Sequence, residues 1–257
     1  TNWSSLTMPS GYWYDVCSYN GVFVVVETGT SRALTVIVKK TGAGEPLSEI
    51  VAEECLDSGL LGPADIDVSA LSQSVRGYRI GAVAAIRSAL EPLQAAYPFD
   101  VVQSGYTVTF RPRGGSSVAS IPAGDLAARP SGKQSEPAMT ISREMDSQLP
   151  RRVSVKSIDR DREYAIGEQY AERINTASVN IRSIDLPLAL TADETAGIAE
   201  TLLYLYWLER YDAQFALPPT YADLEPGDVV TVSADSGTHT VRLTGITYAA
   251  DGRLECR

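Results

Sequence analysis

"FALPPTYADLEPGDVVTV", residues 215–232, joins two kinds of pattern. Before it runs a long apolar stretch with helical spacing; after it Val230 and Val232 begin the alternation of a β-strand. Between them Pro226 and Gly227 take the two central places of a four-residue turn, where type II geometry favours proline first and a positive-φ residue second. Glu225 and Asp228 flank that turn and raise an acid/base reading. The conformational demands on Pro226 and Gly227 explain the motif without chemistry, and no second polar constellation lies nearby in sequence. The stretch reads as a corner that starts a strand.

Upstream, "TADE" at 191–194 is a capping box, with Thr191 accepting from the amide three residues on and Glu194 reaching back. The helix behind it carries Ile198, Leu202, Leu205 and Trp207 and should be the longest in the chain. Downstream, "DVVTVSADSGTHTVRLTGITYAADGRLEC" gives at least three strands, with turns at Ser236-Gly237 and Asp251-Gly252.

Toward the N-terminus, "RRVSVKSID" and "ASVNIRSIDLPLAL" alternate as strands. "RDREYAIGEQYAERI" between them has helical composition, against which stand Gly167 and the pairing of Tyr164 with Ile166. Residues 114–150 are rich in Gly, Ser, Pro and Ala and read as a long loop or linker. "FDVVQSGYTVTFRPRGG" reads as a hairpin turning at Ser104-Gly105, with Tyr106, Val108 and Phe110 on one face. In "AVAAIRSALEPLQAAYPFD" an interior Pro92 predicts a kink or a helix that starts later than Ala82. "LSEIVAEECLDSG" places Leu47, Ile50, Val51 and Cys55 on one helical face, with Glu49, Glu53 and Glu54 mostly off it and Gly59 as the C-terminal cap. A strand is expected at Tyr78–Ile80.

The first segment reads as strands flanking Asn20-Gly21. Its "LTMPSGYW" and "NGVFVVV" resemble a β-repeat of phage tail and fibre proteins. Trp3, Tyr12, Trp13 and Tyr14 are the candidates for stacking on sugars; covering the open face of a small sheet is the plainer role for such rings. The expected organisation is a hairpin repeat at 1–37, an α+β domain at 38–113, a linker at 114–150 and a barrel-like domain with one long helix at 151–257.

A chain of 257 residues serves one large domain or two modest ones. With 44% hydrophobic and 21% charged residues it has an ordinary composition, and no apolar run approaches the roughly 20 residues of a membrane span. The net charge of −10 repels a phosphate backbone, against sequence-specific nucleic-acid binding. Cys17, Cys55 and Cys256 form no CxxC pair, and His239 is the one histidine, so zinc sites of the usual kinds are excluded. The missing initiator Met and the finish inside a strand pattern are those of a fragment of a longer polypeptide.

Other motifs have competing readings. "ADSGTH" looks like an aspartic-protease motif, but Asp235 stands alone where that chemistry needs two, and it lies where a hairpin turn belongs. His239 has no nucleophile elbow to serve. Asp65 with Asp67, and Asp159 with Asp161, are carboxylate pairs of the type a glycosidase uses. "RPRGGSS" and "LPRRVSV" are small basic islands that read as solvated loop ends. "TGAGEP" lacks the lysine of a P-loop. No catalytic, cofactor-binding or metal-binding residue is assigned.

In order, "EPLSEIVAEECLDSGLLGPADIDVSALSQSVRGYRIG", "IRSALEPLQAAYPFDVV", "VTFRPRGG", "LPRRVSVKSIDRDREYAIGEQYAER", "DLPLALTADETAGIAETLLYLYWLERYDAQFALPP" and "LEPGDVVTV" resemble a phage tail protein family, over residues 38–257. That family comprises baseplate hub or tail-tip proteins of siphophages and gene transfer agents. The resemblance implies an α+β, β-rich fold of barrel-like domains with a few packed helices. It also implies a structural, non-enzymatic role in the virion tail tip after synthesis in the bacterial host cytoplasm. The implied assembly is a homotrimeric hub, joined to tube or distal tail proteins, to a fibre or spike and to a tape measure, with DNA passing through the centre; the net charge of −10 adds the expectation that this passage is acidic. The alternative is a host-surface module that binds glycans or degrades cell wall.

Overall fold

A computed structural model of the chain describes residues 44–80, 85–126, 128 and 137–257, together with the backbone of four strands before them. Those strands, β1 (Ser4–Leu6), β2 (Tyr14–Tyr19), β3 (Val22–Glu27) and β4 (Ala33–Ile37), form one antiparallel sheet in that order. Tyr19 stands opposite Val22, the pairing expected across a two-residue Asn20-Gly21 connection, which itself lies outside the described residues. These strands belong to a first compact unit, Thr1–Glu45, and everything else to a second, Pro46–Arg257.

The second unit holds two hydrophobic cores. Strand β5 (Glu45–Pro46) spans the boundary between the units; around the first core lie α1 (Leu47–Leu56), β6 (Ile66–Asp67), β7 (Ser74–Val75), α2 (Ile86–Ala96), β8 (Phe99–Ser104) and β9 (Thr107–Pro112). After β10 (Ala119–Ile121) and β11 (Met139–Arg143) come β12 (Pro150–Asp159), β13 (Ala165–Glu172), β14 (Asn180–Leu190) and α3 (Ala192–Leu208). The chain closes with β15 (Tyr211–Leu217), β16 (Val229–Ala234), β17 (Gly237–Arg242), β18 (Ile246–Tyr248) and β19 (Leu254–Cys256). The architecture is α+β and rich in strand.

Helix α3 is the longest of the described helices and starts as the sequence requires. The Glu194 amide donates to Thr191 Oγ1 at 3.2 Å and the Thr191 amide to Glu194 Oε2 at 2.9 Å. Its buried stripe, Thr195, Ala199, Leu203 and Trp207, recurs every four residues and lies on β12 and β13. Ser157 and Thr195 share a buried 2.7 Å hydrogen bond, and Trp207 Nε1 donates to the Pro150 carbonyl at 3.0 Å, so both ends of the helix are pinned to β12. The sheet order is β13-β12-β14, with β13 antiparallel and β14 parallel to β12. Thus 165–172 is strand, entered through left-handed backbone at Glu163 (φ 54°) and Tyr164 (φ 61°).

Helix α1 buries Leu47, Val51 and Cys55 in the same core, and Gly59 turns the chain out with φ 64°. Helix α2 starts at Ile86 and keeps Pro92 inside it. Phe99 and Phe110 meet edge to face, centroids 5.9 Å apart, and fix the β8–β9 hairpin to this core. That hairpin turns at Gly105-Tyr106, so Tyr106 is 99% exposed and only Val108 and Phe110 of the expected face turn inward. At Tyr78 the backbone makes an isolated bridge to Leu188 in place of the expected strand.

The second core is formed by Ile121, Leu126, Phe215, Leu217, Leu224, Val230, Val232, Leu243, Leu254 and Cys256. Two sheets enclose it, β10-β16-β17 and β11-β15-β19-β18, each hydrogen-bonded within itself and, among the described residues, without closing into one continuous barrel. Residues 114–150 therefore supply a strand to each sheet, through β10 and β11.

Candidate functional site

The corner at Glu225–Asp228 is a turn, as its sequence requires. Gly227 has φ 90°, and the Asp228 amide donates to the Glu225 carbonyl at 3.1 Å. Asp228 Oδ2 accepts from the Glu225 amide at 2.8 Å, which leaves Oδ1 pointing outward. There it meets Arg111 on β9: Nη1 donates to Asp228 Oδ1 at 2.5 Å and Nη2 to Glu225 Oε2 at 2.6 Å. Ser104 Oγ, on β8, donates to the other Glu225 oxygen at 2.6 Å. A Cβ at Gly227 would fall 3.2 Å from Val102 Cγ2, so the glycine also lets the corner seat on the hairpin.

A second group continues the line. Asp100 on β8 accepts from Arg113 Nε at 3.0 Å and from Arg242 Nη1 at 2.6 Å. Glu209, just beyond α3, accepts from Arg242 Nη2 at 2.7 Å and from Arg113 Nη1 at 3.4 Å. These residues tie the hairpin of the first core to the β16–β17 corner of the second. Every carboxylate in the line is engaged by a guanidinium, which suits a mechanical joint.

The other candidates are also absorbed locally. Asp65 Oδ2 accepts from the Gly62 amide at 2.8 Å, and Asp67 Oδ1 from the Ser69 amide at 3.0 Å and the Ser69 hydroxyl at 2.6 Å. Those bonds from Ser69 hold the Asp67 carboxyl below its ordinary range. Asp159 Oδ1 accepts from the Asp161 amide at 3.0 Å. Asp235 lies in the β16–β17 turn, and His239 Nε2 is 2.9 Å from Ser236 Oγ on the exposed side of that hairpin. Among the described residues no group of three or more His, Cys, Asp or Glu side chains is placed to hold a metal ion. Trp3, Tyr12 and Trp13 lie outside the described residues, and Tyr14 is described only as the first backbone position of β2.

The basic islands are a correction to the sequence reading. Arg111 and Arg113 belong to or adjoin β9 and are spent in the joint. Arg151 and Arg152 lie in β12 and both pair with Glu172, at 2.8 Å each. Neither island is a solvated loop end.

The sheet β13-β12-β14 has two unlike faces. One carries Val153, Val155 and Ser157 against α3. On the other, register places Tyr170, Ser154 and Ser183 side by side, and likewise Glu168, Lys156 and Asp185, and Glu172, Arg152 and Ile181. Here Ile166, Tyr170 and Ile181 are 77%, 57% and 65% exposed. Arg152 lies over the Tyr170 ring at 4.3 Å, and its bond to Glu172 holds that carboxyl below its ordinary range.

The family model described as "Putative phage tail protein" matches residues 85–246, which include α2, the joint and the whole of this sheet. The chain belongs to that family. A chain of the native gene transfer agent virion is 29% identical to this phage tail protein, with a TM-score of 0.74 over 82% of this chain and 46% of that one. The present chain thus spans under half the length of that relative. The tail protein from Neisseria meningitidis MC58 has a TM-score of 0.55 at 11% identity, over 98% of this chain and 89% of that one. The 43 kDa tail protein of prophage MuSo2 from Shewanella oneidensis has 0.53 at 11% identity, over 83% and 63%. These two show the shared fold. A comparison with curated proteins gives no match. The chain is a structural phage tail protein, a component of the virion tail, and no described helix is long and apolar enough to cross a membrane.

Proposed function

We propose that this tail protein is the hub of a tail tip, a non-enzymatic ring that links the tail tube to distal fibres or a spike and surrounds the path of the DNA. The observation that carries the reading is the sheet β13-β12-β14. Its one face is sealed by α3, while its other presents Ile166, Tyr170 and Ile181 among Glu168, Glu172, Asp185, Arg152 and Lys156. A mixed face of this kind, flanked by the edge strand β13 and by the first half of β14, whose second half is bridged by residues 77–79, is suited to closing against neighbouring copies around an axis. The chain's net charge of −10 gives such a ring an acidic lumen, past which DNA slides by repulsion.

The partners that follow are further copies of this chain, tube or distal tail proteins above, a fibre or spike below, and a tape measure inside. Light scattering of the purified chain across a concentration series tests the reading. A closed trimer supports it. A monomer at every concentration refutes self-assembly of this chain, and titration of tryptophan fluorescence with cell-wall glycans then tests a displayed, sugar-binding role for Trp3, Tyr12, Trp13 and Tyr14.

A further inference from the structure

Arginines flank the C-terminal half of α3 on both sides. Arg173, just past β13, lies 4.2 Å over the Trp207 ring, and Arg182 on β14 lies 4.7 Å over the Tyr206 ring. Arg210 and Arg143 continue the stack over Tyr211 at 4.9 Å and 5.8 Å, and both of these bond to Asp146. Arg173 and Arg182 differ from them. Among the described residues neither makes a salt bridge or a side-chain hydrogen bond, and both are exposed. Stacking holds the plane of a guanidinium and leaves its N–H edges unused, so two cations in an acidic chain are presented in fixed orientation with their donors free.

The complement stands elsewhere on the same unit. On α1, Glu49, Glu53 and Asp57 are exposed and spaced four residues apart, which aligns them on one side of the helix. Among the described residues none of the three has an ionic partner, the helix has no basic residue in its last turn, and Asp57 stands at its negative end. Burial, then Asp57 and Glu53, push the neighbouring Glu54 carboxyl above its ordinary range. Consecutive carboxylates along such a stripe are about 6 Å apart, and its ends about 12 Å. Strands β13 and β14 are separated by β12, hence by about 10 Å. The two arginines and the stripe are therefore commensurate.

We propose that Arg173 and Arg182 form a carboxylate receptor for the Glu49–Glu53–Asp57 side of α1 on a neighbouring copy, a head-to-tail contact that sets the order of subunits around the ring. The receptor and the acidic stripe are different surfaces of one chain, so the contact is heterologous and propagates until the ring closes. This inference rests on the hub reading, and the test separates the two.

The full chain is compared with R173E/R182E, with E49R/E53R, and with all four substitutions together, by light-scattering mass over a concentration series. Circular dichroism checks the fold, and R173Q/R182Q replaces the first pair should its fold be lost. Each reversed pair should raise the dissociation constant about tenfold or more, and the fourfold variant should restore it to within about threefold of the parent. Parent assembly that both reversals leave unchanged overturns the contact while the hub stands. A parent that is monomeric throughout overturns both. Retention of the parent on duplex DNA at 150 mM salt that R173E/R182E abolishes, with the mass unchanged, assigns the arginines to nucleic acid and overturns the contact.

Discussion

Replacing Arg111 by Ala should weaken the joint between the two cores more than any exposed ion pair would. Arg111 is 30% exposed, Glu225 30% and Asp228 15%, so the cluster lies between surface and interior. A hydrogen bond to a charged group contributes about 1.5–3 kcal/mol when buried, whereas an exposed pair contributes about 0–1 kcal/mol. Two such bonds at this depth give a loss of about 2–3 kcal/mol, because two half-buried carboxylates also lose their counter-charge. For a chain of this size that corresponds to a fall of roughly 5–10 °C in Tm. The control is Arg87→Ala, whose i,i+4 partner Glu91 is 61% exposed and which should cost under about 0.5 kcal/mol. The neutral triple Arg111→Met/Glu225→Gln/Asp228→Asn should recover at least half of the loss, since removing all the charges strands none of them. Thermal unfolding by calorimetry reads all three. Equal shifts for Arg111→Ala and Arg87→Ala, or a triple less stable than the single, would refute the reasoning.

Three further outcomes are expected. Thr191→Ala removes the cap of α3 and should cost about 1 kcal/mol by urea unfolding, while Thr191→Ser should cost under half of that. Glu194 is raised by partial burial but carried below its ordinary value by the Thr191 amide and Arg76. A carboxyl lowered on folding stabilises the native state above its unfolded pKa of about 4.5 and loses that contribution as pH falls through the lower folded value. The stability gap between the parent and Glu194→Gln should accordingly be present at pH 7 and shrink as pH falls below about 4.5. Burial pushes the Cys256 thiol up to about 11, so the native chain should resist alkylation there at pH 8, as read by peptide mass; rapid labelling would contradict the buried position in β19.

What the sequence disclosed is what local geometry decides. The capping box at Thr191 and the glycine at position 227 each answer a requirement met within four residues, and each is present, while the hairpin expected to turn at Ser236-Gly237 turns one residue earlier, at Asp235-Ser236. The joint escaped because its bonds join residues 114 and 117 positions apart, and a lone "RPR" looks like any solvated basic patch. Composition misled at 114–150, where short strands among Gly, Ser and Pro are held by partners in β15 and β16. For 165–172 helical composition yielded to pairing with β12, which tertiary context supplies. Arg173 and Arg182 gave no signal at all, since their stacking partners lie on α3.

The second core has a consequence for how the chain is made. Its first strand, β10, pairs in parallel with β16, Ala119 beside Val230, and Leu254 of β19 completes the packing. At roughly 5–20 residues per second, Ile121 and Leu126 are made about 5–25 seconds before Val230 and Leu254 exist. During that interval the first core can collect most of its strands and helices while β10 and β11 stay unsatisfied. Contacts of such long separation close slowly. This half of the molecule is therefore where synthesis is most exposed to misassembly, and where a bound chaperone would have the longest window to act.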